Sequence, residues 1–547
     1  MPRTPALALA LAASMIAFPS SARAQGPPDP AEARRAEVLS AKLAFSPFVF
    51  GGPSFPPCDV EDPARLRELI GPYRIEATYF DDGGRRVDVA GTAGPYRVVA
   101  RIIPESGGPS RRMATIYRIP DGLDPGRRPD ESEADLVRLV GGVPAVLYPA
   151  MVRDRARGRT LAEASRDPAF ARLLAGLAAY RVGDPTLRGE ADAVDLDRQR
   201  WVELIRRLEG SDREHPRPAV GPRPIEGPPA TVLHVGTLAE AGFRPGSVEA
   251  IDAICRSWAA DSDQAFAVCV ARRGVVVLHQ AYGTRDGRPM TVDTPSRMAS
   301  VTKAMSATLM MTLVDQGLVD LDAPAEVYLP ALRGAGGDRR LTVRHLYTHT
   351  SGLDRWPGWA DELPDVEDRV AGAMKLLKVG DRWAYNGLGY TLGGKIIENV
   401  TGEAVPIAFR NHFLAPLGCT GTEVHGTHGD ARSIPMDMAR FGQMLLNGGS
   451  YGSRSYFSAE TFNRMLPARL TRELGPDTTK VFGIGLDGST DRFGHGAASS
   501  ATFHVDRANE LVVIVTRNLG GTNWEKYQGR LWDAIKAGLD PPFRESR

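Results

Sequence analysis

The sequence predicts an α/β C-terminal domain, an antiparallel sheet flanked by helices, preceded by a separate mixed α+β N-terminal domain. Three observations carry this. "AFAVCVARRGVVVLHQAYG" and "FHVDRANELVVIVTRN" each read as strand–turn–strand, and they stand some 235 residues apart with helical patterns between them. Strands at both ends of a domain with helices in the middle imply a sheet assembled from the two termini. "SDREHPRPAVGPRPIEGPP", with six prolines and two glycines between Ser211 and Pro229, breaks the chain like a linker.

The 547 residues are too many for one ordinary core. The sequence therefore divides into a leader at 1–24, an N-terminal domain at 25–210, a proline-rich linker at 211–230 and a C-terminal domain at 231–540. Residues 69–118 hold short β-like runs, "YRIEATYF", "RVDVAG", "YRVVARII" and "RMATIYRI", parted by Gly, Asp and Pro as in consecutive hairpins. Helical patterns follow at 161–181 and 192–208, and no chemical motif stands out before the linker. After it, "SVEAIDAICRSWAAD" reads as an amphipathic helix and the first hairpin turns at Arg273–Gly274.

Lys and Arg total 67 and Asp and Glu 66, with no isolated basic run, so nucleic acid and anionic membranes are poor partners for this surface. Arg3, an apolar run from Ala6 to Phe18 and Ala22–Arg23–Ala24 read as a secretory leader cut after Ala24, giving an exported, periplasmic or secreted protein. The best other apolar run, Ala304 to Val314, is about half the ~20 residues a transmembrane helix needs. Cys58, Cys255, Cys269 and Cys419 allow three disulfide pairings, and Cys269 in "FAVCV" is explained by packing in a buried strand.

The chemistry begins at "SRMASVTKAMSATLMM". Only 8 of the 67 basic residues are lysine, and Lys303 alone of these has a serine three positions earlier. Arginine would serve for surface charge but cannot give up its proton, whereas a buried lysine can. Residues three apart share a helical face, so the Lys303 amine can reach the Ser300 hydroxyl, on a helix that ends at Gly317. Burial lowers a lysine pKa and lets the neutral amine accept a proton. The opposing reading has Ser300 merely capping the helix while Lys303 snorkels to solvent.

Further motifs follow in order: "RHLYTHTSGL", "WAYNGLGYTLGG", "IPMDMARFGQMLLNGG" and "VFGIGLDGSTDRFGHGAASS". Together with "SVTK" they resemble the penicillin-recognising serine hydrolases related to class C β-lactamases, a family with D-alanyl-D-alanine carboxypeptidases, D-aminopeptidases and carboxylesterases among its members. The resemblance covers residues 242–518. It implies a β-lactamase/transpeptidase-like fold, Ser300 as nucleophile with Lys303, and Tyr385 as a general base held as phenolate or near it. It places His495–Gly496–Ala497 where the family has its Lys-Thr-Gly strand, and the Ser300 and Ala498 amides as oxyanion hole. Gly387 replaces the asparagine of the family's Tyr-x-Asn, removing an amide that would bind an acylamino group. A histidine, of reference pKa ~6.5, holds a substrate carboxylate poorly at neutral pH, and Ala497 adds a methyl where a glycine would let the substrate approach.

These departures favour esters or other uncharged acyl donors over β-lactams and D-Ala-D-Ala peptides, with no metal and no organic cofactor. The alternatives are a D-amino-acid peptidase or β-lactamase, and a degenerate binding or scaffold protein on the same fold. The expected partner is a small-molecule or peptide acyl substrate, with a cell-wall or protein contact through the N-terminal domain. Other motifs weigh less. "GGSYG" follows a helix rather than a strand, so Ser450 belongs to a helix-terminating loop and not to a nucleophile elbow. His345 with His349, and His425 with His428, lack the glutamate of a zinc helix; the "HTSGL" histidine fixes a loop, and Tyr390 is a core aromatic.

Overall fold

The computed structural model describes residues 210–545 apart from 286, 338 and 356–365, together with parts of 199–209 and four strands between 72 and 118. The leader, Cys58, the helices expected at 161–181 and most of that at 192–208 lie outside the described residues. The expected hairpins form one antiparallel meander: β1 (Tyr73–Asp81), β2 (Gly84–Gly91), β3 (Gly94–Ile103) and β4 (Arg111–Arg118), paired in sequence order.

The second sheet positions the chemistry. Its strands are β5 (His234–Val235), β6 (Phe266–Arg272), β7 (Val275–Tyr282), β8 (Asp487–Gly488), β9 (Arg492–Gly496), β10 (Thr502–Asp506) and β11 (Leu511–Thr516). Their spatial order is β8-β9-β10-β11-β6-β7-β5, so the last strand in sequence lies beside the first long one, with Leu511 opposite Arg272 and Thr516 opposite Ala267. All pairings are antiparallel except β5 with β7. Arg273 and Gly274 both have positive φ, 53° and 80°, the geometry of a two-residue hairpin whose twist matches its strands.

Every residue of β6 and β11 is buried because both faces of the sheet are covered. Period-two alternation sends Phe266, Val268, Val270, Val513 and Val515 to one face, under helices α1 (Ser247–Ala260) and α6 (Trp524–Gly538). There Ile251, Cys255 and Trp258 meet Tyr527, Leu531 and Ile535, and the Trp258 ring lies 4.4 Å from that of Phe266. Cys269, Ala271, Val512 and Ile514 point the other way, into the larger core shared with α2 (Val301–Asp315), α4 (Leu388–Thr401) and α5 (Pro435–Leu446). A short helix, α3 (Val343–Tyr347), packs on α4.

Helix α2 has no solvent face: every residue from Val301 to Val314 is buried. Apolar side chains all round make a helix internal, and its threonines bond back to their own helix, Thr308 to the Ala304 carbonyl at 2.9 Å and Thr312 to that of Thr308 at 3.2 Å. Gly317, at φ 73°, follows the last turn, and the Leu318 amide donates to the Leu313 carbonyl at 3.0 Å, closing the helix as the sequence suggests.

The proline-rich stretch is fastened to this body along its length. The Arg217 guanidinium donates to the Gly402 carbonyl at 3.0 Å, the Gln316 amide to that of Gly221 at 3.2 Å, and Arg223 pairs with Asp315 at 2.7 Å. Ser450 lies in a two-residue strand paired with Arg454–Ser455, just beyond α5, and not on a strand-to-helix elbow. Cys255, Cys269 and Cys419 are buried free thiols.

Strand β9 depends on a bare backbone at Gly494, where an added Cβ would stand 1.9 Å from the Phe503 carbonyl oxygen; at Gly496 it would meet nothing within 4 Å. Overpacking of this kind costs about 1–3 kcal/mol. Gly494→Ala is therefore expected to lower the urea midpoint clearly while Gly496→Ala leaves it near wild type; equal midpoints would contradict the packing described.

Candidate active site

Ser300 stands at the N-terminus of α2 with φ −65° and ψ −9°, preceded by Ala299 at φ 45°. A non-glycine residue in the left-handed region costs about 1–2 kcal/mol, and here the turn is held by the Met298 amide donating to the Ala431 carbonyl at 2.8 Å. The Ser300 side chain makes no capping bond. Its hydroxyl instead accepts from the Lys303 amine at 3.2 Å, while that amine also donates to the His428 carbonyl at 2.6 Å. Lys303 is 3 % exposed. Capping by Ser300 and snorkelling by Lys303 are both absent.

Tyr385 comes from the loop before α4, and its ring centroid lies 4.9 Å from the Lys303 amine. The residue is 45 % exposed, yet its hydroxyl end is turned toward Ser300, so one flank of the ring faces solvent and the polar end does not. Burial pushes the phenol above its ordinary pKa, Ser300 opposes this and the Asp487 carboxylate adds to it. Burial thus favours the protonated phenol over the phenolate that the family's pattern implies. Tyr390 is wholly buried and donates to the Tyr347 carbonyl at 2.9 Å, a core role.

His495, on β9, is 8 % exposed, and its ring lies 6.1 Å from that of Tyr385. Its Nδ1 is 2.6 Å from the Gly496 carbonyl oxygen, and Nε2 is buried without a partner among the described residues. Burial lowers its pKa to about 4 against the opposing Gly496 contact, so the ring is neutral at pH 7. Ala497 and Ala498 form the turn after β9, closed by the Ser500 amide donating to the Ala497 carbonyl at 2.8 Å. Neither the Ser300 nor the Ala498 amide donates to a backbone carbonyl among the described residues. Residues 253–537 match the family model described as Beta-lactamase, just over half of the chain.

The chain belongs to the beta-lactamase family. This is a family of serine hydrolases that includes carboxylesterases. Among curated relatives, Esterase EstB of Burkholderia gladioli is 34% identical over 174 residues, 27% of this chain and 44% of its own length. Esterase/beta-lactamase LipL of Mycobacterium tuberculosis is 32% identical over 188 residues, 32% of this chain and 43% of its own. The chain thus spans less than half the length of these relatives. Among solved structures, a penicillin-binding protein homologue from Caulobacter crescentus aligns over 55% of this chain and 99% of its own, at 19% identity and a TM-score of 0.46.

Gly387, at the start of α4, presents no side chain where the beta-lactamase family pattern has asparagine, and the neighbouring Asn386 is committed elsewhere. Its side-chain carbonyl accepts from the Gly389 amide at 3.0 Å and its NH2 group donates to the Ala384 carbonyl at 2.9 Å, which caps the helix. Sequence reasoning missed this role, although an asparagine three residues before a helical amide is its signature. A groove of about 600 Å³ lies along β9, lined by His495, Gly496, Ala497, His504, Trp524 and Trp532; Ser300, Lys303 and Tyr385 do not line it.

His345 forms a capping box with Thr342 rather than a pair with His349, and among the described residues no group of three His, Cys, Asp or Glu could hold a metal ion. Burial lowers the pKa of His345, His495 and His504 alike to about 4. The unfolded chain takes up these protons near pH ~6.5 and the native protein only near 4, so between those values the unfolded state binds more protons and stability falls with falling pH. The urea midpoint should therefore decline as pH is lowered from about 6.5 to 4.5, and His495→Gln should decline less steeply by about one proton; identical slopes would contradict a neutral buried His495.

Proposed function

We propose that this protein is an exported serine hydrolase that cleaves carboxylic esters and other uncharged acyl donors through an acyl-enzyme on Ser300. The observation that carries the reading is the direct Lys303–Ser300 contact at 3.2 Å inside a buried helix, with the Tyr385 hydroxyl turned to the same serine. Lys303, as the free amine, takes the proton as Ser300 Oγ attacks the acyl carbon. The substrate oxygen gathers charge before the Ser300 and Ala498 amides, where one donor typically matters by ~10²–10³ in rate. Tyr385, protonated at rest, gives its proton to the departing alkoxide and recovers it from Lys303. Water then repeats the sequence on the acyl-enzyme, releasing the acid and restoring Ser300.

Preference for uncharged substrates follows from what the site withholds. His495 is neutral, Gly387 offers no amide and Asn386 is spent on the helix. A carboxylate left unpaired in such a cleft loses its hydration without replacement. The esterase names of two relatives accord with this. Export through the leader cut at Ala24, and a cell-wall or protein contact through residues 25–210, belong to the same proposal.

Wild type is expected to hydrolyse short-chain p-nitrophenyl esters and to gain the mass of one acyl group on Ser300 when quenched early. Ser300→Ala should do neither. Turnover of a chromogenic cephalosporin or a D-Ala-D-Ala peptide without ester cleavage would replace this reading with the penicillin-directed one, and inactivity of both proteins on every substrate would favour a binding protein. In the same assay Lys303→Arg should be nearly dead despite retaining its charge, and Tyr385→Phe should lose about 10²–10⁴-fold in kcat; an active Lys303→Arg would remove the amine from the mechanism.

A further inference from the structure

His349 is tightly constrained beside the cleft. It lies in the turn after α3 with φ 59°, fully buried. From there it holds the main chain on both sides of Tyr385. Its carbonyl accepts the Ala384 amide at 2.8 Å and its Nδ1 accepts the Asn386 amide at 3.2 Å. The imidazole also supports the Tyr385 ring directly, with centroids 4.3 Å apart, and is itself walled in by Tyr390 at 5.3 Å, Phe482 at 5.1 Å and Trp383 at 5.8 Å. Because Nδ1 accepts, the ring proton sits on Nε2, which is buried and has no partner among the described residues. A buried donor left without an acceptor is costly, and the fold retains it here to have an acceptor at Nδ1.

We propose that His349 is the positioning residue of the active site: it clamps the two peptide units flanking Tyr385 and so fixes the tyrosine hydroxyl against Ser300. Tyr385 needs such a clamp because it comes from a loop and is nearly half exposed, so packing alone does not hold it. The clamp works only with a neutral ring, since an imidazolium would carry a proton on Nδ1 and repel the Asn386 N–H. The surroundings keep it neutral: burial dominates, and the Lys480 ammonium disfavours a further positive charge. This inference rests on the role given to Tyr385 in the proposed reaction.

A double-mutant cycle on ester hydrolysis tests it. His349→Ala is expected to lower kcat about 10²-fold, the scale of a misplacement of about 1 Å, with KM changed less than about threefold. His349→Asn, which accepts a left-handed backbone and keeps an acceptor near Nδ1, should recover most of that loss. In a Tyr385→Phe background, His349→Ala should cost nothing more. Should alanine fail to fold by urea denaturation, His349→Gly, unstrained at this φ, takes its place. Equal losses in both backgrounds, or an asparagine variant that folds yet is as impaired as alanine, would overturn the clamp. If Tyr385→Phe is impaired and His349→Ala is not, the clamp alone fails. If Tyr385→Phe is as active as wild type while Ser300→Ala is dead, the role of Tyr385 fails and the clamp with it.

Discussion

Helix α2 has no solvent face, and most of the chemistry descends from that constraint. A lysine on an ordinary amphipathic helix would extend its amine to water. From Val301 to Val314 there is no water to reach, so the Lys303 amine turns to the two oxygens near it, the Ser300 hydroxyl and the His428 carbonyl. The same burial forces the helix to begin abruptly, with Ala299 held in a left-handed conformation by the chain around it. Strain of this sort persists only where the surroundings over-determine it.

The substrate preference proposed for the cleft rests on omission. Where a carboxylate-binding site would present a cation, strand β9 presents a histidine that desolvation keeps uncharged; where an amide would grip an acylamino group, the chain has Gly387. Hydrogen-bonding sites reject substrates that leave them unpaired, whereas a site with few such groups accepts a wider range of acyl and leaving groups.

Much of this was legible in the sequence because it depends on local spacing. Ser300 and Lys303 are one helical turn apart, the Arg273–Gly274 turn joins two apolar runs, and Gly317 ends a helix; each follows from periods of 3.6 or 2 and from φ preferences. What the sequence withheld depends on tertiary contact. Nothing near His349 marks it as lying against Tyr385, because its partners are 35 and 37 positions away. The elevated pKa of Tyr385 comes from burial, and motif spacing carries no information on that. The proline-rich stretch reads as a free tether by composition, yet Arg217 and Arg223 fasten it through partners 185 and 92 residues distant. Composition describes what a segment cannot form by itself and says little about where it docks.

The pairing of β11 with β6 joins residues about 240 positions apart at the centre of the sheet. Nothing in the chain before Leu511 can complete that sheet, so a nascent polypeptide carrying Ser300, Lys303 and Tyr385 already made still lacks the strand that binds β10 to the rest. Closing so long a loop is slow, and the partly built sheet exposes unpaired edges meanwhile. The sheet is then completed late, when synthesis of the domain is nearly finished. Cutting the chain before the final strand would keep Ser300, Lys303 and Tyr385 in the sequence while removing the strand that ties the two halves of the sheet together.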